Sequence, residues 1–232
     1  MAVVLMPALF SCSNGKVNDQ PISRFEFSYE SAHPNAKALM KEEFFWSPIE
    51  ETGPFGSDDG SDAAHSFLAW RMNHLEETPM SFLKDMIASW NYPYFDYFEM
   101  DTVRISTFLR QPKVYSDAEL RQQVELLKDA AKNAPATNEK QMTDEEIKNL
   151  IRESSKGLNG IFLVSQDNGI IGTGFAQFAL EGRIDPDLKT LTAIAIKRQL
   201  LPILLNRYDE AIRKQRSEQL TKMLEVINQS GS

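Results

Sequence analysis

Ile161-Phe162-Leu163-Val164-Ser165-Gln166-Asp167-Asn168-Gly169-Ile170-Ile171-Gly172-Thr173-Gly174-Phe175-Ala176-Gln177-Phe178-Ala179-Leu180 admits two readings, and the fold turns on the choice. As strands, Ile161 to Val164 would turn at Asp167-Asn168-Gly169 and return through Ile170-Ile171, a β-hairpin. At the helical period, Ile171, Phe175, Phe178 and Ala179 share a side, and Gly182 follows as a residue that ends helices in the left-handed conformation. Gly169, Gly172 and Gly174 weaken a helix by about 1 kcal/mol each relative to alanine. The same glycines permit a second helix to approach closely. The helix is the expected form.

Working outward, helix signals recur on both sides. Downstream, Asp185-Pro186 opens a helix from Asp187 to Leu200, Pro202 breaks or kinks it, and a long amphipathic helix runs to about Asn228. Upstream, Thr143-x-x-Glu146 and Ser116-x-x-Glu119 are capping boxes, predicting helices over Asp144 to Ser154 and from Ser116 to about Lys132. Asn133 to Gln141 lacks periodicity and reads as an exposed connection. Thr78-Pro79 starts a helix through Ala88. Asp58 to Leu75 carries Ala64, Phe67, Leu68 and Leu75 on one helical face. Pro34 opens a helix over Asn35 to Trp46, and the alternation of Arg24 to Tyr29 suits a short strand or extended lead-in. The expected fold is mainly α: a single multi-helix domain of about seven or eight helices over residues 28–229, with room for a short strand or hairpin.

The 232 residues are 42% hydrophobic and 25% charged, with 11 glycines and 11 prolines, which excludes collagen, fibrous coiled coil and wholesale disorder. A formal charge of −8 argues against nucleic-acid partners and anionic membrane surfaces. Residues 1–115 hold 16 Asp/Glu against 9 Lys/Arg, with all three histidines and all three tryptophans, so a polar site is expected in that half. The basic residues Lys197, Arg198, Arg207, Arg213, Lys214 and Arg216 are interspersed with acids and read as a solvated helix face.

Cys12 is the sole cysteine, which excludes an intrachain disulfide and a cysteine zinc cluster. It follows the apolar run Ala2 to Phe10 and Ser11, so Leu9-Phe10-Ser11-Cys12 resembles a bacterial lipobox in which Cys12 is lipidated. Residues 1–12 are then a lipoprotein-type signal, and residues 13–27 a polar tether and extended lead-in. No Lys or Arg precedes the apolar run, unlike the usual signal. The other reading is an apolar segment packed on the domain with a free thiol. The lipoprotein reading places the protein at the cell envelope, facing the periplasm, with a lipid anchor as its only membrane attachment. Without the anchor it would be cytoplasmic.

Two segments are candidate sites. Asp58, Asp59, Asp62 and His65 follow Gly53-Pro54-Phe55-Gly56-Ser57, and on a helix Asp58, Asp62 and His65 share a face. They are either ligands for a divalent metal, an acid–base set, or anionic groups capping and complementing a helix N-terminus. HExxH, paired HxH and EF-hand spacings are absent. Trp90 to Phe98 holds Trp90, Tyr92, Tyr94, Phe95, Tyr97 and Phe98. Such a run either stacks on sugars or anchors a protein partner from the surface, or plugs the core. Gly172-Thr173-Gly174 is not a dinucleotide fingerprint, since Gln177 stands at the third glycine position.

Ala32-His33-Pro34-Asn35-Ala36-Lys37 to Phe44-Phe45-Trp46, with Gly53 to Asp62 and with Gly172-Thr173-Gly174-Phe175-Ala176-Gln177 to Asp185-Pro186, resembles the YfeS-like family of uncharacterised bacterial proteins. The G-P-F-x-x-D-D-x-x-D portion also resembles small helical domains that begin W-G-x-G-P-F-x-N-D. The resemblance implies a helical fold over residues 28–208 and no particular activity. A lipoprotein leader departs from relatives expected in the cytoplasm. The expected function is that of a non-enzymatic envelope lipoprotein acting by protein–protein interaction, with Trp90, Tyr92, Tyr94 and Tyr97 as its surface. The rival is a divalent-metal-dependent hydrolase or small-ligand binder using Asp58, Asp59, Asp62 and His65, joined by Glu43, His33 or His74.

Overall fold

The computed structural model describes residues 16–17, 20–132 and 142–231. The lipobox with Cys12, and the whole connection 133–141, lie outside them. Lys16–Val17 pairs antiparallel with Gln20–Pro21, and the remaining regular structure among the described residues is helical. The chain is mainly α, as expected.

The decisive stretch is one helix. α7 runs Leu158–Glu181, and eighteen of its 24 residues are buried, so beyond a first turn exposed at Ile161 it is a core helix. Gly182 ends it at φ 69°, where its N–H donates to Phe178 O at 2.9 Å. The last carbonyls of α7 are taken by the start of α1 (Pro34–Leu39): His33 N–H donates to Ala179 O and Asn35 Nδ2 to Gly182 O.

Around α7 pack α2 (Asp58–Arg71), α3 (Pro79–Ser89), α4 (Thr102–Arg110) and α8 (Pro186–Gln199). α2 lies closest. A Cβ on Gly172 would sit 2.3 Å from Gly60 O, so these two glycines let the helix backbones touch. After the single turn α9 (Pro202–Leu205), α10 (Glu210–Gln229) closes over α8. The main core joins Phe45, Phe67, Phe175 and Phe178 to Leu188, Ile196, Leu220 and Ile227. α5 (Asp117–Lys132) and α6 (Asp144–Ser154) form an outlying pair with its own small core of Leu120, Val124, Ile147 and Ile151.

Several expected boundaries move, each for a local reason. The helix expected over Asn35 to Trp46 stops at Leu39, because the Trp46 indole N–H takes the Met40 carbonyl; a 3-10 turn at Glu43–Phe45 replaces the rest. α2 ends at Arg71 and not at Leu75, because the buried Arg71 Nη1 gathers the His74, Leu75 and Glu77 carbonyls into a turn. Arg71 Nε also lies 2.7 Å from Glu181, tying the ends of α2 and α7 together. Arg24 to Tyr29 forms no strand: Phe25 and Phe27 fold onto the core, with Phe27 stacked on Phe55 at 4.6 Å. The hairpin alternative at Ile161 to Ile171 is absent. α4 was not expected, although Asp101 caps it by accepting from the Val103 and Arg104 N–H groups, and Ile105, Phe108 and Leu109 form its buried side.

Candidate binding site

The acidic cluster is a solvated helix entrance. Ser57 is the cap of α2, its Oγ accepting from Gly60 N–H at 3.1 Å, while Asp58 and Asp59 complement the dipole from the first turn. Asp62 is exposed one turn further on, and Asp59 accepts from the Tyr92 hydroxyl at 3.4 Å. His65, also exposed, has Nδ1 2.9 Å from Ser61 O and its ring edge-on to Phe27. His33 accepts from Asn35 N–H, and His74 stacks on Trp70, so neither joins the aspartates. Among the described residues no three His, Cys, Asp or Glu side chains are placed to hold a metal ion. Ser57→Ala should therefore lower the unfolding free energy by about 0.5–2 kcal/mol. Asp62→Ala should stay within about 0.5 kcal/mol of wild type. Urea denaturation of both variants checks the assignment, and the reverse order of effects would return the cap to Asp62.

The aromatic segment divides between both of its readings. It is the loop joining α3 to α4, entered through Asn91 in the left-handed conformation at φ 54°. Trp90 and Phe95 face the core: the Trp90 ring fills the space over Gly169, and Phe95 packs on Phe108 at 4.6 Å. Tyr92, Tyr94 and Tyr97 instead line a cleft of about 620 Å³, inside the roughly 300–1,000 Å³ range of small-molecule sites. Its near wall includes Ile87 and Ala88 at the end of α3, with Asn91 and Pro93. Its far wall is Lys113 and Tyr115 before α5, and Glu119, Gln122 and Gln123 on α5. Gln166 of α7 completes the lining from the core side.

Gln166 is 3% exposed, and its amide Nε2 is buried with no hydrogen-bond partner. Buried amide donors are almost always paired, because an unpaired one costs about 1–3 kcal/mol. The neighbouring residues show how this stretch of α7 is otherwise satisfied. Asp167 is fully buried and binds Arg198, whose Nε donates to both carboxylate oxygens at 3.1 Å while Nη2 donates to Oδ1. Asn168 Oδ1 accepts from Gln199 Nε2 at 2.8 Å, and Arg216 Nη2 donates to Gln199 Oε1. Arg198 reaches further, donating Nη1 to Tyr97 O and Glu99 O at 3.0 Å each. One guanidinium thus anchors the aromatic loop to α7 beside the unpaired amide.

The reading of Lys197 to Arg216 as a solvated face is corrected by this network. Arg198 is 0% and Arg216 5% exposed, while Lys197, Arg207 and Lys214 are in solvent. Asp167, Arg198 and Gln166 did not figure among the candidates read from sequence. A signal existed: once residues 161–180 form a helix inside the core, a carboxylate in mid-helix requires a buried cation.

Burial pushes the Tyr92 phenol up, helped by the charge on Asp59, and burial followed by Tyr94 raises Tyr97. Both stay protonated at neutral pH and can donate. Glu119 is held below its ordinary value by the Ser116 backbone N–H, with the Ser116 hydroxyl assisting, and serves as the capping-box acid of α5. Lys113 Nζ lies 4.9 Å from the Tyr115 ring centre and 5.6 Å from that of Phe162. The lining is rich in hydroxyl and amide groups suited to holding a ligand.

These features define a mainly α protein with a tyrosine- and amide-lined cleft at one side of a buried central helix. No protein-family model, curated protein or solved structure matches the chain.

Proposed function

We propose that the protein is a non-enzymatic binding protein that takes a small polar ligand in the cleft between the aromatic loop, α5 and α7. The observation that carries this reading is Gln166: a buried amide nitrogen with no protein partner, on a side chain that lines the cleft. A ligand supplying an acceptor there, or inducing the amide to turn over and offer its oxygen, would remove the cost of the unpaired group. The cleft replaces the Asp58-to-His65 cluster as the site, and a small ligand replaces a protein as the first partner to seek. With the reading goes attachment to the cell envelope through a lipidated Cys12. No helix among the described residues is long and apolar enough to cross a membrane, which leaves such an anchor as a compatible means of attachment.

A fragment screen followed by protein-observed NMR tests the site without presupposing a ligand. Bound fragments should shift the side-chain amides of Asn91, Gln122, Gln123 and Gln166. Shifts confined to Asp58, Asp62 and His65, or no clustering, would overturn the reading. The metal-dependent rival predicts that Ca²⁺, Mg²⁺, Mn²⁺ or Zn²⁺ at 100 times its dissociation constant stabilises by about 2.7 kcal/mol. That would raise the unfolding midpoint by about 5–10 °C. The midpoint is expected to be the same in EDTA and in each ion. For the anchor, wild type should fractionate with membranes and Cys12→Ser should not. A wild-type protein that stays soluble would remove the anchor and leave the cleft reading intact.

A further inference from the structure

Resting on the cleft as the binding site, we propose that its ligand is an uncharged oligosaccharide. Three properties of the lining point the same way. The first is charge: among the described residues lining the cleft, Lys113 and Glu119 alone are formally charged, and they cancel, one lying over Tyr115 and the other capping the start of α5. A charged ligand would lose its hydration against a lining with no net counter-charge.

The second is the type of polar group. Gln122, Gln123, Gln166 and Asn91 bring amides, and four tyrosines bring phenols. Each of these groups both donates and accepts, so the ligand groups that match them best are hydroxyls, which do the same. A proline-rich peptide, the other frequent occupant of tyrosine-lined grooves, offers mainly carbonyl acceptors and leaves the amide and phenol oxygens unmatched. The third is shape. Tyr92 is held flat against Phe162 at 4.7 Å and 25°, and Tyr94, 79% exposed, stands beside Tyr97 with ring centres 6.3 Å apart. Such rings offer apolar surface for the C–H faces of sugar rings, with the Tyr94 and Tyr97 hydroxyls beside it as donors and acceptors, while the Tyr92 hydroxyl is held by Asp59. The cleft is larger than one sugar ring needs, which favours a short chain of them.

The test uses the full chain carrying Cys12→Ser to keep it in solution. It is applied to an array bearing neutral, sialylated and sulfated oligosaccharides, with proline-rich peptides on the same surface. Neutral oligosaccharides should bind, and calorimetry with the best of them should show at least tenfold weaker binding for Tyr97→Ala and for Gln166→Met. Gln122→Ala, on an exposed helix position, should weaken binding about threefold or more without affecting folding. Binding only to sialylated or sulfated chains, or only to peptides, overturns the proposal, as does neutral binding that none of the three substitutions weakens. An empty array alongside NMR fragments in the cleft overturns the saccharide and leaves the binding site standing. An empty array with no fragment there removes both.

Discussion

Asp167→Ala is expected to lower the unfolding free energy by about 3–5 kcal/mol, because removing one member of a buried pair leaves the other charge unpaired. Arg198 would remain in the core, 0% exposed, with only the loop carbonyls to satisfy it. For a protein with about 5–15 kcal/mol in total, that is enough to shift the urea midpoint severely or abolish folding. Arg213→Ala, whose partner Asn206 is at the surface, is the control and should change stability by less than about 0.5 kcal/mol. Replacing both partners, as Asp167→Leu with Arg198→Met, should recover much of the loss, since an apolar pair can substitute for a buried ionic one. The recovery should be incomplete, because the Tyr97 and Glu99 carbonyls lose their donor. That shortfall measures how strongly Arg198 holds the aromatic loop.

The same pair has a pH signature. Burial raises the Asp167 carboxyl from 3.8 to about 6, overcoming the opposing pull of Arg198 and the smaller one of Arg216. The folded state therefore holds this proton more tightly than the unfolded chain does. Its contribution to stability is full below the ordinary value and is lost as the pH rises through about 6. Compared with wild type, Asp167→Asn should show a deficit that grows as the pH falls from 7 to 4. The surface carboxylates Glu99, Asp101, Glu119, Asp129 and Glu146 are shifted down, so they stabilise above their ordinary range and lose that contribution in acid. They are common to both proteins and cancel in the difference. A deficit that shrinks in acid would mean that Arg198, and not burial, dominates at Asp167.

Gly172→Ala carries the second large effect, and its sign is the informative part. Helix propensity alone predicts a gain of about 1 kcal/mol at this position. The structure predicts the opposite, because the new methyl would sit 2.3 Å from Gly60 O and 2.9 Å from Gly60 Cα, backbone atoms that move only if α2 moves. Forcing the two helices apart across the core should cost about 3 kcal/mol, the upper part of the range for overpacking, and Gly172→Val more. Thermal unfolding followed by circular dichroism decides it. A rise in midpoint for Gly172→Ala would show that α2 and α7 are not in backbone contact.

Most of the helical framework could be read from local chemistry. Ser116 with Glu119 and Thr143 with Glu146 form the expected reciprocal caps, and Gly182 ends α7 as its type suggests. Where expected and observed helix ends part, a side chain that takes carbonyls just past the end decides. Arg71 winds the chain back after α2, and Trp46 claims a carbonyl that a longer α1 would need. The site was half legible. Tyr92, Tyr94 and Tyr97 were visible as an aromatic run, but their cleft exists only because α5 and α7 arrive from elsewhere. Arg198 joins Asp167 and the aromatic loop from positions 31 and about 100 residues apart, so no local pattern announces it. Asp58, Asp62 and His65 had the more suggestive spacing, yet Ser57 immediately before them performs the capping.

The stability of Gln166→Met tests the central claim most directly, because methionine keeps the length of the side chain and removes only its polar end. If the buried amide has no partner within the protein and is retained for a ligand, the ligand-free variant should be as stable as wild type or more stable by about 1 kcal/mol. A loss of more than about 1 kcal/mol would show that the Gln166 amide already makes a bond on which the fold depends. The cleft would then have no unmet group to offer a ligand.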